Sequence, residues 1–240
     1  MTRAEVCALI QEIGIIPAIR VSSAEDAHFA ADAVATGGIP IVEITMTVPE
    51  AVELISHLVR HHKKMLVGAG TVLNIEMASK CVDAGASFLT SPGLNTKIVE
   101  FAAQRQTAIL PGALTPTEVI AAWEAGSDFI KVFPCAQVGG NEYIKALKTA
   151  LPQIPLIAAG GVTQHTVESF ILAGATAIGV GTELIPADAI EHREAERIQE
   201  LAQRFLSFVK SARQRFTPVK EEAKSERTNF LKLHKHVPQR

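Results

Sequence analysis

Eight short apolar runs, each followed by a stretch of helical periodicity, constrain this chain more than any other feature. They are Ile15–Ile19, Ile39–Ile44, Met65–Val67, Phe88–Thr90, Ala108–Leu110, Phe129–Phe133, Leu156–Ala158 and Ala177–Val180. A strand covered on both faces reads as nearly continuous aliphatic sequence, whereas a half-exposed strand alternates. Eight such strand–helix units in one chain favour a single closed (β/α)8 TIM barrel of the α/β class over an open doubly wound sheet.

The punctuation between the runs agrees. Ser22-x-x-Glu25, Thr47-x-x-Glu50 and Thr115-Pro116-Thr117-Glu118 have capping-box spacing, and Asn74, Asn95 and Thr163 can cap three further helices. Thr36–Gly38, Asp83–Ser87, Glu124–Asp128 and Leu172–Thr176 each set a glycine just past a helix, where the left-handed backbone favours it. These signals recur about every 40 to 50 residues, one quarter of a barrel. The N-terminus reads as an amphipathic helix, because Glu5 and Glu12 interrupt any signal-peptide core. From Arg213 to Arg240 the chain turns to Lys, Arg and Glu with little periodicity. The expected division is a barrel over 1–212 and a polar, flexible tail over 213–240.

Composition removes several function classes. A net charge of −2 and 5% aromatics offer no basic or stacking surface for nucleic acid, and no apolar run is long enough for a membrane span. Cys7, Cys81 and Cys135 are too few and too scattered for a disulfide framework or zinc knuckle, so free thiols in a reducing cytoplasm are expected. His61-His62 lies in a polar helix end with no carboxylate or histidine at ligand spacing, and no metal or cofactor is expected.

Barrel active sites lie at the carboxyl ends of the strands. Two charges stand there inside otherwise apolar runs. Lys131, in Phe129-Ile130-Lys131-Val132-Phe133, either snorkels to solvent or sits in the barrel mouth, where loss of water favours the neutral amine that attacks a ketone. Glu43, in Ile41-Val42-Glu43-Ile44-Thr45, costs several kcal/mol to bury unless paired, so it is an ion-pair partner of Lys131 or Arg20, a general acid/base, or both. Gly160-Gly161 and Gly179-x-Gly181-Thr182 read as two loops opening helices after the seventh and eighth strands. Their bare backbone N–H groups suit a phosphate; ordinary turn chemistry is the alternative, and two such loops on adjacent strands favour the phosphate.

Pro17-Ala18-Ile19-Arg20, Val42-Glu43-Ile44-Thr45, Gly68-Ala69-Gly70-Thr71-Val72, Ser91-Pro92-Gly93, Pro111-Gly112, Lys131-Val132-Phe133-Pro134 and Gly160-Gly161-Val162 occur in this order on successive strands. Carrying these motifs, the chain resembles the 2-keto-3-deoxy-6-phosphogluconate / 2-keto-4-hydroxyglutarate (KDPG/KHG) aldolase family over about residues 4 to 212. The resemblance implies a homotrimeric class I aldolase that releases pyruvate from a small keto-acid substrate without a metal. On it, Lys131 matches the Schiff-base lysine and Glu43 the proton-transfer glutamate. Thr71 and Pro92 match residues around pyruvate, while Gly160, Gly161, Gly181 and Thr182 match the phosphate loops.

Two departures matter. Some members carry an arginine for the substrate carboxylate where this chain has Thr47; others place it at the end of the first strand, as here with Arg20, whose planar fork suits a carboxylate. Ala159 stands where phosphogluconate-type members have threonine, and relatives resembling phosphogalactonate aldolases also lack that hydroxyl. Ala159 is therefore the expected specificity position. A sugar-phosphate isomerase or epimerase on the same loops, and a non-catalytic sugar-acid binder, are the rival readings. Neither needs a nucleophilic lysine.

Overall fold

The computed structural model describes residues 1–215. Its elements, in chain order, are α1 (Arg3–Ile13), β1 (Ile15–Ile19), α2 (Ala24–Thr36), β2 (Ile41–Thr45), α3 (Ala51–His61), β3 (Leu66–Gly70), α4 (Ile75–Asp83), β4 (Phe88–Thr90) and α5 (Thr96–Gln104). They continue with β5 (Ala108–Leu110), β6 (Gly112–Ala113), α6 (Pro116–Glu124), β7 (Ile130–Val132), α7 (Gly140–Ala150), β8 (Leu156–Ala159), α8 (Val167–Leu172), β9 (Ala177–Val180), α9 (Ala187–Glu191) and α10 (Ala195–Arg215).

The nine strands form one parallel sheet ordered β5-β4-β3-β2-β1-β9-β8-β7-β6. Its two outer strands are consecutive in the chain, so the sheet wraps into a barrel broken only at Pro111. The ninth strand arises there. Proline has no N–H to donate to a ladder, and the fifth expected strand changes partner across it, β5 pairing with β4 and β6 with β7. All eight expected runs are strands, with boundaries shifted by a residue or more at Ile39–Ile44, Met65–Val67, Phe129–Phe133 and Leu156–Ala158. Strand side chains fill the interior almost without exception: β2, β3, β4, β5 and β8 are buried at every position.

The helix-end glycines behave as the pattern requires. Gly38, Gly85, Gly126 and Gly174 have φ of 97°, 100°, 94° and 101°. The caps are more mixed. Thr115 forms its box with Glu118, and Asn74 and Asn95 cap α4 and α5. Ser22 does not cap α2; its neighbour Ser23 does, accepting from Asp26 N–H. Thr47 caps nothing, because its hydroxyl meets Thr45 Oγ1 at 2.8 Å and α3 instead starts at Glu50 in a left-handed conformation. Thr163 is not a cap either: Thr166 precedes α8, and its hydroxyl accepts from Thr163 N–H. Thr2-x-x-Glu5, unremarked in the sequence, forms a complete box for α1.

Helix α1 is fastened to the barrel by Arg3, whose Nε lies 2.9 Å from Asp128 Oδ1, while Asp128 Oδ2 accepts from Ile109 N–H. At the other end of the chain, α10 runs past the expected boundary at 212. Arg213, read as the first tail residue, donates to the carbonyls of Gln11, Glu12 and Thr176 and so belongs to the barrel. The rest of the expected tail, 216–240, lies outside the described residues. Among the described residues no helix is long and apolar enough to cross a membrane.

Candidate active site

Strand register sets the site. Glu43 on β2 pairs with Ala18 of β1 and Gly68 of β3, and Lys131 on β7 pairs with Gly112 of β6 and Ile157 of β8. Both side chains turn into the barrel mouth, where Lys131 Nζ lies 3.7 Å from Glu43 Oε2, with side chains 15% and 3% exposed. Glycine makes room for the acid. A Cβ on Gly70 would stand 1.9 Å from Glu43 Oε1, so no other residue fits there without displacing the carboxylate.

The amine has two further neighbours that sequence inspection passed over. Thr90 Oγ1 lies 3.4 Å from Nζ, and the Phe133 ring centroid lies 5.6 Å away, within reach of a cation–π contact. Neither residue type is unusual at a strand end, which is why neither stood out. The Thr90 hydroxyl accepts a hydrogen bond from the amine, and the Glu43 carboxylate is the neighbouring group able to take a proton.

A cleft of about 330 Å³ opens over this pair. It brings together Arg20, Glu43, Lys131, Ala159, Gly160, Gly161, Gly181 and Thr182, eight of the ten residues singled out from sequence. Thr71 and Pro92 do not line it; they follow β3 and β4 on the neighbouring side of the mouth. Thr71 is nonetheless unusual, with φ of 58° at a β-branched residue, a backbone conformation that costs roughly 1–3 kcal/mol and concentrates at functional sites. Arg20 is exposed and enters no salt bridge among the described residues, so Lys131 is the partner of Glu43.

The glycine loops line the cleft, but they do not open helices directly. Helix α8 begins only at Val167 and α9 only at Ala187, and both are short. Any anion there would be held by loop N–H groups. Those of Gly161 and Thr182 have no acceptor among the described residues. Glu183, also missed, joins the same lining and brings a negative charge close to those loops.

Competing nucleophiles are subdued. Burial pushes the Cys135 thiol, beside Gly160, up to about 11, and does the same to Cys81. Cys7 is raised to about 12 by burial and by nearby Asp128. All three thiols are free and protonated at neutral pH. Burial lowers the pKa of Lys148, but its Nζ is held at the C-terminal end of α7 by the carbonyls of Pro152 and Ile154 at 2.7 and 2.8 Å.

The histidines depart from the sequence reading in one respect. His62 was expected to have no partner at ligand spacing, yet the fold brings His28 and Asp32 of α2 against it. That cluster stands apart from the cleft.

Known proteins resemble this chain over most of its length. Residues 6–201 match the family model described as KDPG and KHG aldolase. The chain is 31% identical over 189 residues to a KHG/KDPG aldolase of Escherichia coli (strain K12), spanning 78% of this chain and 88% of that one. It is 31% identical over 205 residues to the 2-dehydro-3-deoxy-6-phosphogalactonate aldolase of the same organism, spanning 85% and 96%. A KDPG aldolase from Legionella pneumophila, solved with pyruvate captured as a covalent carbinolamine intermediate, superposes with a TM-score of 0.77 at 29% identity, covering 82% of this chain and 96% of that one.

Proposed function

The chain belongs to the KDPG and KHG aldolase family, and on that premise we propose that Lys131 is the amine through which this carbon–carbon lyase forms its Schiff base. The supporting observation is the Lys131–Glu43 pair, 3.7 Å apart in the barrel mouth with the carboxylate 3% exposed. Replacing a buried ion pair by apolar residues is often neutral or stabilising, so such a pair is poorly explained by stability and well explained by chemistry.

The steps follow from those two groups. Lys131 Nζ adds to the C2 carbonyl of a 2-keto acid, and loss of water from the carbinolamine leaves an iminium. Its nitrogen accepts the electron pair freed as the C3–C4 bond breaks. Glu43 takes the proton from the C4 hydroxyl, so that fragment departs as an aldehyde and the remainder stays as an enamine. Protonation at C3 and hydrolysis then release pyruvate and restore the amine.

Arg20, exposed at the rim, is assigned the substrate carboxylate; Thr71 and Pro92, outside the cleft lining, keep only the pyruvyl role that the family resemblance implies for them. Arg20→Met should lower pyruvate affinity while leaving the fold intact, and unchanged affinity by calorimetry would reassign that role. The loop N–H groups at Gly160, Gly161, Gly181 and Thr182 are assigned a terminal phosphate. The substrate is then a 2-keto-3-deoxy-6-phospho sugar acid, yielding glyceraldehyde 3-phosphate, with 4-hydroxy-2-oxoglutarate, yielding glyoxylate, as a second substrate. Ala159 in the cleft favours a further reading, a phosphogalactonate-type preference, because its methyl offers no hydrogen bond to the substrate. An assay of all three substrates coupled to pyruvate detection tests this. Pyruvate release is expected from at least one, and silence on all three would contradict the assignment.

The assembly assigned is a homotrimer. Leu73 and Ile75 at α4 and Ile120 and Trp123 on α6 are large apolar side chains left exposed. A cyclic trimer joins one patch to a different one on its neighbour, and a sedimentation mass of one chain would contradict it. The three free thiols support a reducing, cytoplasmic setting.

A further inference from the structure

On the outer surface, away from the barrel mouth, α2 and the end of α3 hold ionisable side chains for which the aldol cleavage has no use. His28 and Asp32 stand one turn apart on α2, with His28 Nδ1 3.2 Å from Asp32 Oδ2. His62, which terminates α3, brings its Nε2 to 3.4 Å from Asp32 Oδ1. One donor atom from each of the three lies within 4.8 Å of the other two.

The backbone fixes this arrangement. An i, i+4 pair puts two donors on one helix face. His62 N–H donates to Leu58 O at 2.8 Å, and its carbonyl accepts from Met65 N–H at 2.9 Å, so the third donor is carried by a bonded helix end. All three side chains are partly exposed, at 35%, 45% and 28%, which leaves a path for an ion and room for water.

Donor type and spacing select the ion. Nitrogen and carboxylate oxygen bind Zn²⁺ at about 2.0–2.2 Å, and tetrahedral angles then separate neighbouring donors by about 3.3 Å. The 3.2 and 3.4 Å contacts have that length but reach the two different oxygens of Asp32, so the carboxylate must turn to offer one oxygen to an ion shared with both imidazoles. The two imidazole nitrogens lie within 4.8 Å of each other, and rotation of exposed side chains closes the remaining distance to that edge. Calcium and magnesium prefer all-oxygen sets, whereas two imidazoles with one carboxylate suit a borderline d-block cation.

We propose that His28, Asp32 and His62 form a surface site for Zn²⁺, completed by water, that ties the end of α3 to α2. Its role is structural, and it is separate from the aldolase assignment.

The test is calorimetric titration of Zn²⁺ into the full chain after chelator treatment, for wild type, His28→Asn, His62→Asn and a His234→Asn/His236→Asn variant. Losing an outer-shell partner of a metal ligand typically weakens binding 10–100-fold, so losing a ligand should weaken it by at least about tenfold. Wild type and the His234/His236 variant should bind one equivalent with equal affinity. His28→Asn and His62→Asn should weaken it, with pyruvate production and metal-free melting temperature unchanged. Co²⁺ should give a tetrahedral visible band in wild type that both weakened variants lose. The proposal is overturned if wild type shows no saturable binding, if neither single variant alters it, or if only the His234/His236 variant does.

Discussion

The barrel mouth and the outer α2–α3 surface both gather ionisable groups, and they do so on opposite terms. At the mouth, Glu43 and Lys131 project from strands that are otherwise apolar, with little water to solvate either charge. Removing one partner of such a pair strands a charge, at a cost of about 3–5 kcal/mol. On the outer surface, His28 and Asp32 are solvated, and exposed pairs are worth about 0–1 kcal/mol. A costly charge pair persists where chemistry needs it; an inexpensive one needs no function to persist, and reveals one only when a ligand arrives.

Substitutions sharpen that contrast. Lys131→Met should abolish pyruvate release from every substrate, since no other group in the cleft can form the imine. Glu43→Gln, nearly isosteric, should cut kcat by roughly 10²–10⁴-fold through lost proton transfer. Circular dichroism would check that the fold survives. Near-normal turnover would make Glu43 a structural partner only.

A smaller effect is expected at Ala159, buried beneath the cleft. Restoring a hydroxyl there with Ala159→Thr should shift the kcat/KM ratio toward the phosphogluconate epimer by about tenfold, the equivalent of 1.4 kcal/mol. If water already bridges that space, the ratio of the two epimers will not move.

The smallest effect belongs to the outer surface. Without metal, His28→Ala should change stability in urea by less than about 1 kcal/mol and leave turnover alone. A loss as large as that expected at the mouth would erase the contrast.

How much of this was legible in sequence differs between the same two regions. Buried parallel strands leave continuous apolar runs, so Lys131 and Glu43 were conspicuous within them, and the fold followed from the count of runs. The split at Pro111 was not visible, because a two-residue strand has no pattern of its own. Ser22 was chosen for its spacing to Glu25, but α2 starts one residue later and Ser23 takes the cap. Thr47 had the right spacing, but its hydroxyl was already committed to Thr45. Thr90, Phe133 and Glu183 are ordinary residues that only the closure of the barrel brings to the site. Asp32 and His62 are far apart in the chain, and nothing short of the packing of α2 and α3 joins them.

The account depends most on covalent catalysis at a single lysine, and trapping tests it directly. An imine is reduced by borohydride to a stable adduct. The full chain incubated with pyruvate and borohydride should gain one pyruvyl adduct, and peptide mapping should locate it on Lys131. Lys148 is the informative alternative, because burial lowers its pKa while the Pro152 and Ile154 carbonyls hold its amine. An adduct on Lys145 or Lys148, or none on Lys131, would contradict the assignment.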